Sequence, residues 1–120
     1  MTATFVAQQV WFRICDYAQL LPDRGVAALL PDGTQIAVFR LGDGSVHVLG
    51  QRDPFSGANV MARGIVGSRG EVDTVASPML KQEFDLRTGI ALDGEGVRIP
   101  HFEAAIIDDQ VHVRIDGGSP

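Results

Sequence analysis

The chain has 120 residues, 45% of them apolar, with 10 Lys and Arg against 15 Asp and Glu and a formal net charge of -5. That length and apolar content predict one globular domain over residues 1–120, with its core at about 10–115, burying roughly two-thirds of the surface of the unfolded chain. The acidic balance repels phosphate backbones and anionic lipid surfaces, which excludes nucleic acid and membrane as partners. No stretch approaches the ~20 apolar residues of a membrane span. The start, MTATFVAQQVWF, lacks the basic residues and apolar run of a secretory leader, so a soluble, cytoplasmic protein is expected. The single cysteine, Cys15, cannot close an internal disulfide and reads as a small buried hydrophobe in a reducing compartment.

Short runs rich in Val, Ile and Phe alternate with Gly, Pro and Asp clusters along the whole chain, the pattern of an all-β sandwich or barrel. VWFRI at 10–14 reads as the first strand, and DYAQLLPD as about one helical turn stopped by Pro22 and Asp23. GVAALL, TQIAVFRL (read as alternating) and SVHVL then form a meander, turned at Pro31-Asp32-Gly33 and at Gly42-Asp43-Gly44. Between Gly50 and Gly70 the alternation is lost, which predicts a long structured loop held by Phe55, Val60, Met61, Ile65 and Val66. EVDTVAS returns to strand, and EFDLRTG is a strand ending in a turn. HFEAAIIDDQVHVRI closes the domain as a hairpin around Asp108 and Asp109, followed by a frayed tail, DGGSP.

Residue chemistry alone points to no active site. The three histidines, His47, His101 and His112, are dispersed, and two of them sit between valines in strands, as solvated or hydrogen-bonded strand residues do. The GDG at Gly42 and the DGEG at Asp93 lack the further spacing of a calcium or phosphate loop. Ser56 and Ser77 have no base fixed beside them by spacing. Lys81 and Arg87 flank the second loop and read as solvated loop residues rather than as charge aimed at a partner, and Asp85, Arg87 and Thr88 are placed to hold a turn before Gly89.

Two segments carry a resemblance. QRDPFSGANVMARGIVG, 51–67, is similar to the first ligand loop of a Rieske domain, Cys-Pro-His-Arg-Gly-Ala with a Gly-rich return, and ASPMLKQEFDLRTG, 76–89, is similar to the second. With RDPFSGAN, FDLRTG and the strand order, the chain from about Trp11 to Ile115 resembles the small subunits of assimilatory NAD(P)H-dependent nitrite reductases, a Rieske-like family. The resemblance implies an all-β, Rieske-like iron-sulfur-protein fold, an antiparallel sandwich or barrel with two ligand-type loops. It places Asp53 and Ser77 where the two cysteines would be, and Phe55 and Leu80 where the two histidines would be.

A Rieske two-iron cluster takes two thiolates on one iron and two imidazoles on the other. Phe55 and Leu80 have no lone pair, a serine is a poor ligand at neutral pH, and one carboxylate does not replace two sulfurs. Cys15 lies well before both loops. No cluster, metal or other cofactor is therefore expected in this chain, and no catalytic residue. The resemblance implies an accessory, non-catalytic small subunit of a siroheme-containing nitrite reductase, working in nitrate assimilation beside a large subunit that carries FAD, siroheme and an iron-sulfur cluster and reduces nitrite to ammonium. An electron-transfer protein holding iron through atypical ligands, and a free-standing protein-binding module, remain as alternatives.

Rieske domains carry their ligands at loop tips that face a partner, and here those tips are Pro54 with Phe55, and Pro78 with Met79 and Leu80. Two outcomes compete. Phe55 and Leu80 turn inward and fill the volume of the missing cluster, or the tips stay exposed as an apolar docking patch.

Overall fold

A computed structural model describes residues 9–116. The strands are β1 (Gln9–Asp16), β2 (Arg24–Leu29), β3 (Gln35–Arg40), β4 (Val46–Gly50), β5 (Ile65–Arg69), β6 (Val72–Ala76), β7 (Glu83–Asp85), β8 (His101–Phe102), β9 (Ala104–Ile107) and β10 (Gln110–Asp116). Short 3-10 turns occupy Tyr17–Gln19 and Met61–Arg63. The strands form three sheets in the orders β1-β10-β9, β2-β3-β4-β8 and β5-β6-β7, with every paired strand antiparallel. The all-β, antiparallel architecture stands as the sequence predicts. Among the described residues no helix is long and apolar enough to cross a membrane.

Local chemistry accounts for the turns. Asp32 and Asp43 accept hydrogen bonds from the backbone amides two residues on, at Thr34 and Ser45, each at 2.9 Å, and so close the β2–β3 and β3–β4 connections. Asp108 and Asp109 both have positive φ, 52° and 61°, as a two-residue hairpin whose turn follows the strand twist requires. The closing hairpin is therefore β9–β10, with Val111 opposite Ile106 and His112 opposite Ala105.

The core lies in two clusters on either side of β3. Ile36 and Val38 join Leu20, Leu30, Val48, Val111 and Val113 between the first and second sheets. Ala37 and Phe39 join Leu41, Leu49, Met61, Val75, Phe84, Leu86 and Ile99 between the second and third. Because successive side chains leave a strand on opposite faces, a strand with both faces covered must read as a continuous apolar run, and IAVF at 36–39 is that run. The expected alternation in this strand is corrected on that ground.

Three further expectations change. Residues 50–70 are not loop throughout: a 3-10 turn and β5 occupy the second half, and β5 pairs Ile65 with Ala76 and Val66 with Val75. Gly64 and Gly67 interrupt the apolar spacing that would have marked this strand. His101 and Phe102 leave the closing hairpin and form β8 on the edge of the second sheet, opposite Leu49 and Val48. Asp116 ends β10, and the rest of the expected tail lies outside the described residues.

Candidate functional site

Two loops project from this frame. The first runs from Gln51 at the end of β4 to the turn at Met61. Gln51 is buried and organises it: its backbone carbonyl accepts from the amides of Val60 and Met61, each at 3.0 Å, and its Oε1 accepts from the Ala62 amide at 2.8 Å. The second loop joins β6 to β7. Its base is closed by the Ser77 amide donating to the Gln82 carbonyl and the Lys81 amide donating to the Ser77 carbonyl, both at 2.9 Å, with Lys81 at φ 59°. Asp85, Arg87 and Thr88 hold the following turn as predicted. Asp85 Oδ1 accepts from the Arg87 amide at 2.8 Å, and Thr88 Oγ1 accepts from the Ile90 amide at 3.2 Å.

The two loops meet through Asp53 and Ser77, both buried. The Ser77 hydroxyl donates to Asp53 Oδ2 at 2.5 Å, Ser56 Oγ donates to the same oxygen at 3.0 Å, and the Phe55 amide donates to Asp53 Oδ1 at 2.9 Å. Ser77 Oγ in turn accepts from the Met79 amide at 3.2 Å. Burial pushes the Asp53 carboxyl up, but the hydroxyl of Ser77, the Phe55 amide and the hydroxyl of Ser56 outweigh it, and the group is held below the ordinary carboxylate range. A buried carboxylate with three donors is a satisfied charge, and here it bridges the loops across 24 residues of chain.

Phe55 and Leu80 part company. Phe55 is half-buried against the cluster around Phe84, with ring centroids 5.9 Å apart. It lies so close over Gly94 that a Cβ there would stand 2.7 Å from Phe55 Cζ. The DGEG turn is therefore more than a connection: its first glycine makes room for the ring. Leu80 turns outward at 59% exposure, beside Met79 at 54%, and Pro54 and Pro78 are exposed as well. Of the two competing outcomes neither holds for both residues: Phe55 turns inward onto the core and Leu80 points outward. The difference is one of support: Phe55 follows a side-chain-anchored turn at Asp53 and has an aromatic partner, whereas Leu80 stands on a loop tip.

The four side chains that the resemblance sets at ligand positions do not fit a two-iron cluster. Asp53 and Ser77 are hydrogen-bonded to each other, Phe55 sits among core side chains, and Leu80 offers no lone pair. Among the described residues no three His, Cys, Asp or Glu side chains gather closely enough to hold a metal. His47 Nε2 lies 3.0 Å from Ser45 Oγ and His112 Nδ1 lies 3.2 Å from the Gln110 carbonyl, both as hydrogen-bonded strand residues. Cys15 is half-buried at a bulge in β1 and packs on the other core cluster, where burial raises its thiol pKa. What sequence reasoning missed is the Asp53–Ser77 contact itself. The signal that could have found it is that the resemblance sets Asp53 and Ser77 at the two cysteine positions, which in a Rieske centre serve one iron.

An antiparallel β body with two ligand-type loops, one carried by a small three-stranded sheet and both meeting at buried polar residues, defines a Rieske-like domain. Residues 10–114 match the model of the Rieske-like [2Fe-2S] domain family. The nitrite reductase (NADH) small subunit of Escherichia coli is 36% identical over 105 residues, covering 87% of this chain and 96% of that one. A crystal structure from Mycobacterium tuberculosis, assigned as an NADH-dependent nitrite reductase small subunit, superposes with a TM-score of 0.87 at 50% identity, covering 90% of this chain and 96% of that one. The chain belongs to the Rieske-like family and, within it, to the nitrite reductase small subunits. A segment of 84 residues is also 42% identical to part of the nitrite reductase [NAD(P)H] large subunit of Klebsiella oxytoca, covering 70% of this chain and 9% of that protein. The ferredoxin of carbazole 1,9a-dioxygenase from Nocardioides aromaticivorans shares the fold, with a TM-score of 0.71 at 23% identity, covering 86% of this chain and 95% of that one.

Proposed function

We propose that this chain is the accessory, non-catalytic small subunit of a cytoplasmic, siroheme-containing NAD(P)H nitrite reductase, that it carries no iron-sulfur cluster, and that it docks on the large subunit through its loop tips. The observation that carries this reading is the Asp53–Ser77 hydrogen bond, which joins the loops where a Rieske domain would use iron. An electron carrier needs a redox group, and these positions supply no ligand set for one. What remains is a shaped surface. Pro54, Pro78, Met79 and Leu80 present apolar area at the end of the fold, and exposed apolar patches on folded domains commonly mark partner surfaces. The likeness to a segment within the Klebsiella oxytoca large subunit supports a small subunit that works against that kind of protein.

Co-purification tests it. Tagged full-length chain, isolated from its native cell, is expected to bring with it a siroheme-containing large subunit. The small subunit, once separated, is expected to be colourless, without stoichiometric iron, and inactive toward nitrite and NADH. Two irons per chain surviving aerobic purification would overturn the cluster-free reading, and recovery without a redox partner would overturn the accessory role.

A further inference from the structure

Beside the first loop lies a cleft of about 560 Å³ between the β2–β3 turn, the end of β4 and the segment entering β8. That volume is in the range of small-molecule sites. Pro54 and Pro100 form apolar walls, and the polar lining includes Arg52, Arg98, Gln35 and Asn59. Among the described residues no aspartate or glutamate lines it. In a chain with 15 acidic and 10 basic residues this is a local reversal of the overall charge.

Arg13 pairs with Asp16, Arg69 with Glu83 and Asp93, Arg87 with Asp73, and Arg114 with Glu103. Among the described residues five arginines, Arg24, Arg40, Arg52, Arg63 and Arg98, have no acidic partner within ion-pair distance, and of these Arg52 and Arg98 line the cleft. The floor beneath them is fixed: the Gln51 amide donates to the Gln35 carbonyl at 3.1 Å and the Gly50 amide to the Pro100 carbonyl at 2.8 Å. A guanidinium is planar and permanently charged, and its fork of donors matches carboxylate and phosphate oxygens.

We infer that this cleft binds a small organic anion through its carboxylate or phosphate groups, with Arg52 and Arg98 as the charged contacts, Gln35 and Asn59 as neutral ones, and the two prolines against the ligand's apolar body. The inference is independent of the accessory-subunit reading.

The test is an amide chemical-shift titration of the full chain with citrate and, separately, with AMP, at constant ionic strength held with sodium chloride. Saturable shifts confined to the amides of Gln35, Gln51 and Asn59 and their neighbours are expected with at least one probe. Citrate alone would identify carboxylate recognition, and AMP alone phosphate recognition. Arg52→Gln and Arg98→Gln are each expected to weaken binding about tenfold with unchanged melting temperature, whereas Arg63→Gln, outside the cleft, keeps full affinity. Shifts that fail to saturate with both probes, or equal affinity in all three variants, would overturn the inference.

Discussion

The Ser77 hydroxyl and the Asp53 carboxylate, 24 residues apart in sequence and 2.5 Å apart in space, join the two ligand-type loops in the buried interior. The contact ties β4 and β6 together at their loop ends, and its removal has a defined cost. Ser77→Ala leaves a buried carboxylate short of one donor and is expected to lower stability by about 1–3 kcal/mol in urea unfolding. A loss below about 0.5 kcal/mol, the range of ordinary surface changes, would show that the bridge holds nothing.

The same bridge sets a pH dependence. Asp53 is held below the ordinary carboxylate range, so the unfolded chain, with a carboxyl near 3.9, takes up its proton first as pH falls. Stability from this group is fully present above about pH 4 and is lost as pH drops through the folded value. The stability gap between the natural chain and Ser77→Ala is therefore expected to be full at neutral pH and to close as pH falls from the unfolded carboxyl value through the lower folded one. A gap that stays constant across that interval would dissociate it from Asp53.

His47 acts in a higher window. It is half-buried, and burial, aided by the positive charge of Arg87, lowers its pKa below the usual imidazole value. The folded state favours the neutral ring, so as pH falls below about 6.5 the unfolded chain protonates first and stability declines until the folded value is passed. His47→Gln removes this titration. Thermal melts between neutral pH and about pH 5 are expected to show a flatter slope for that variant, and identical slopes would exclude His47 as the source.

Substitutions at Phe55 and Met79 test folding and the proposed docking separately. Phe55→Ala empties a half-buried slot against Phe84 and Gly94, at an expected cost of about 2–3 kcal/mol, toward the low end for a phenylalanine. Met79→Asp places a charge on an exposed tip and is expected to cost the free chain under about 0.5 kcal/mol while abolishing association with the large subunit. Full-strength binding by a folded Met79→Asp protein would move the docking face elsewhere.

Gly89 is a test of the turn after β7. It has φ +79°, and a Cβ there would run into the Ile99 carbonyl oxygen, so neither the conformation nor the space admits a side chain. Gly89→Ala is expected to cost more than about 3 kcal/mol; a chain as stable as the natural one would mean that this turn can rearrange freely.

Much of this was legible in the residues. Asp32, Asp43, Asp108 and Asp109 marked their turns because short polar side chains close turns locally, and those contacts reach only a few positions along the chain. The outcome at Phe55 and Leu80 was not legible, since each is an apolar residue at a loop tip. Only the position of Phe84 and Gly94, set by long-range packing, decides that one ring is covered and the other side chain is not. Strand β5 was hidden for a related reason: Ile65 is 70% exposed at a sheet edge, where no alternation is enforced.

Strand β3 is hydrogen-bonded along both edges, to β2 and β4, and its side chains feed both cores. Neither half of the molecule can then melt while the other stays intact, because each would have to surrender the same strand. Its amide protons should exchange with solvent only through global unfolding, and set the upper limit of protection for the chain. The first loop is tied to the start of this strand, where the Gln51 amide meets the Gln35 carbonyl. A protein that grips the loop tips thus pulls on the most cooperative element of the fold, and binding there would be registered as slower exchange far from the point of contact.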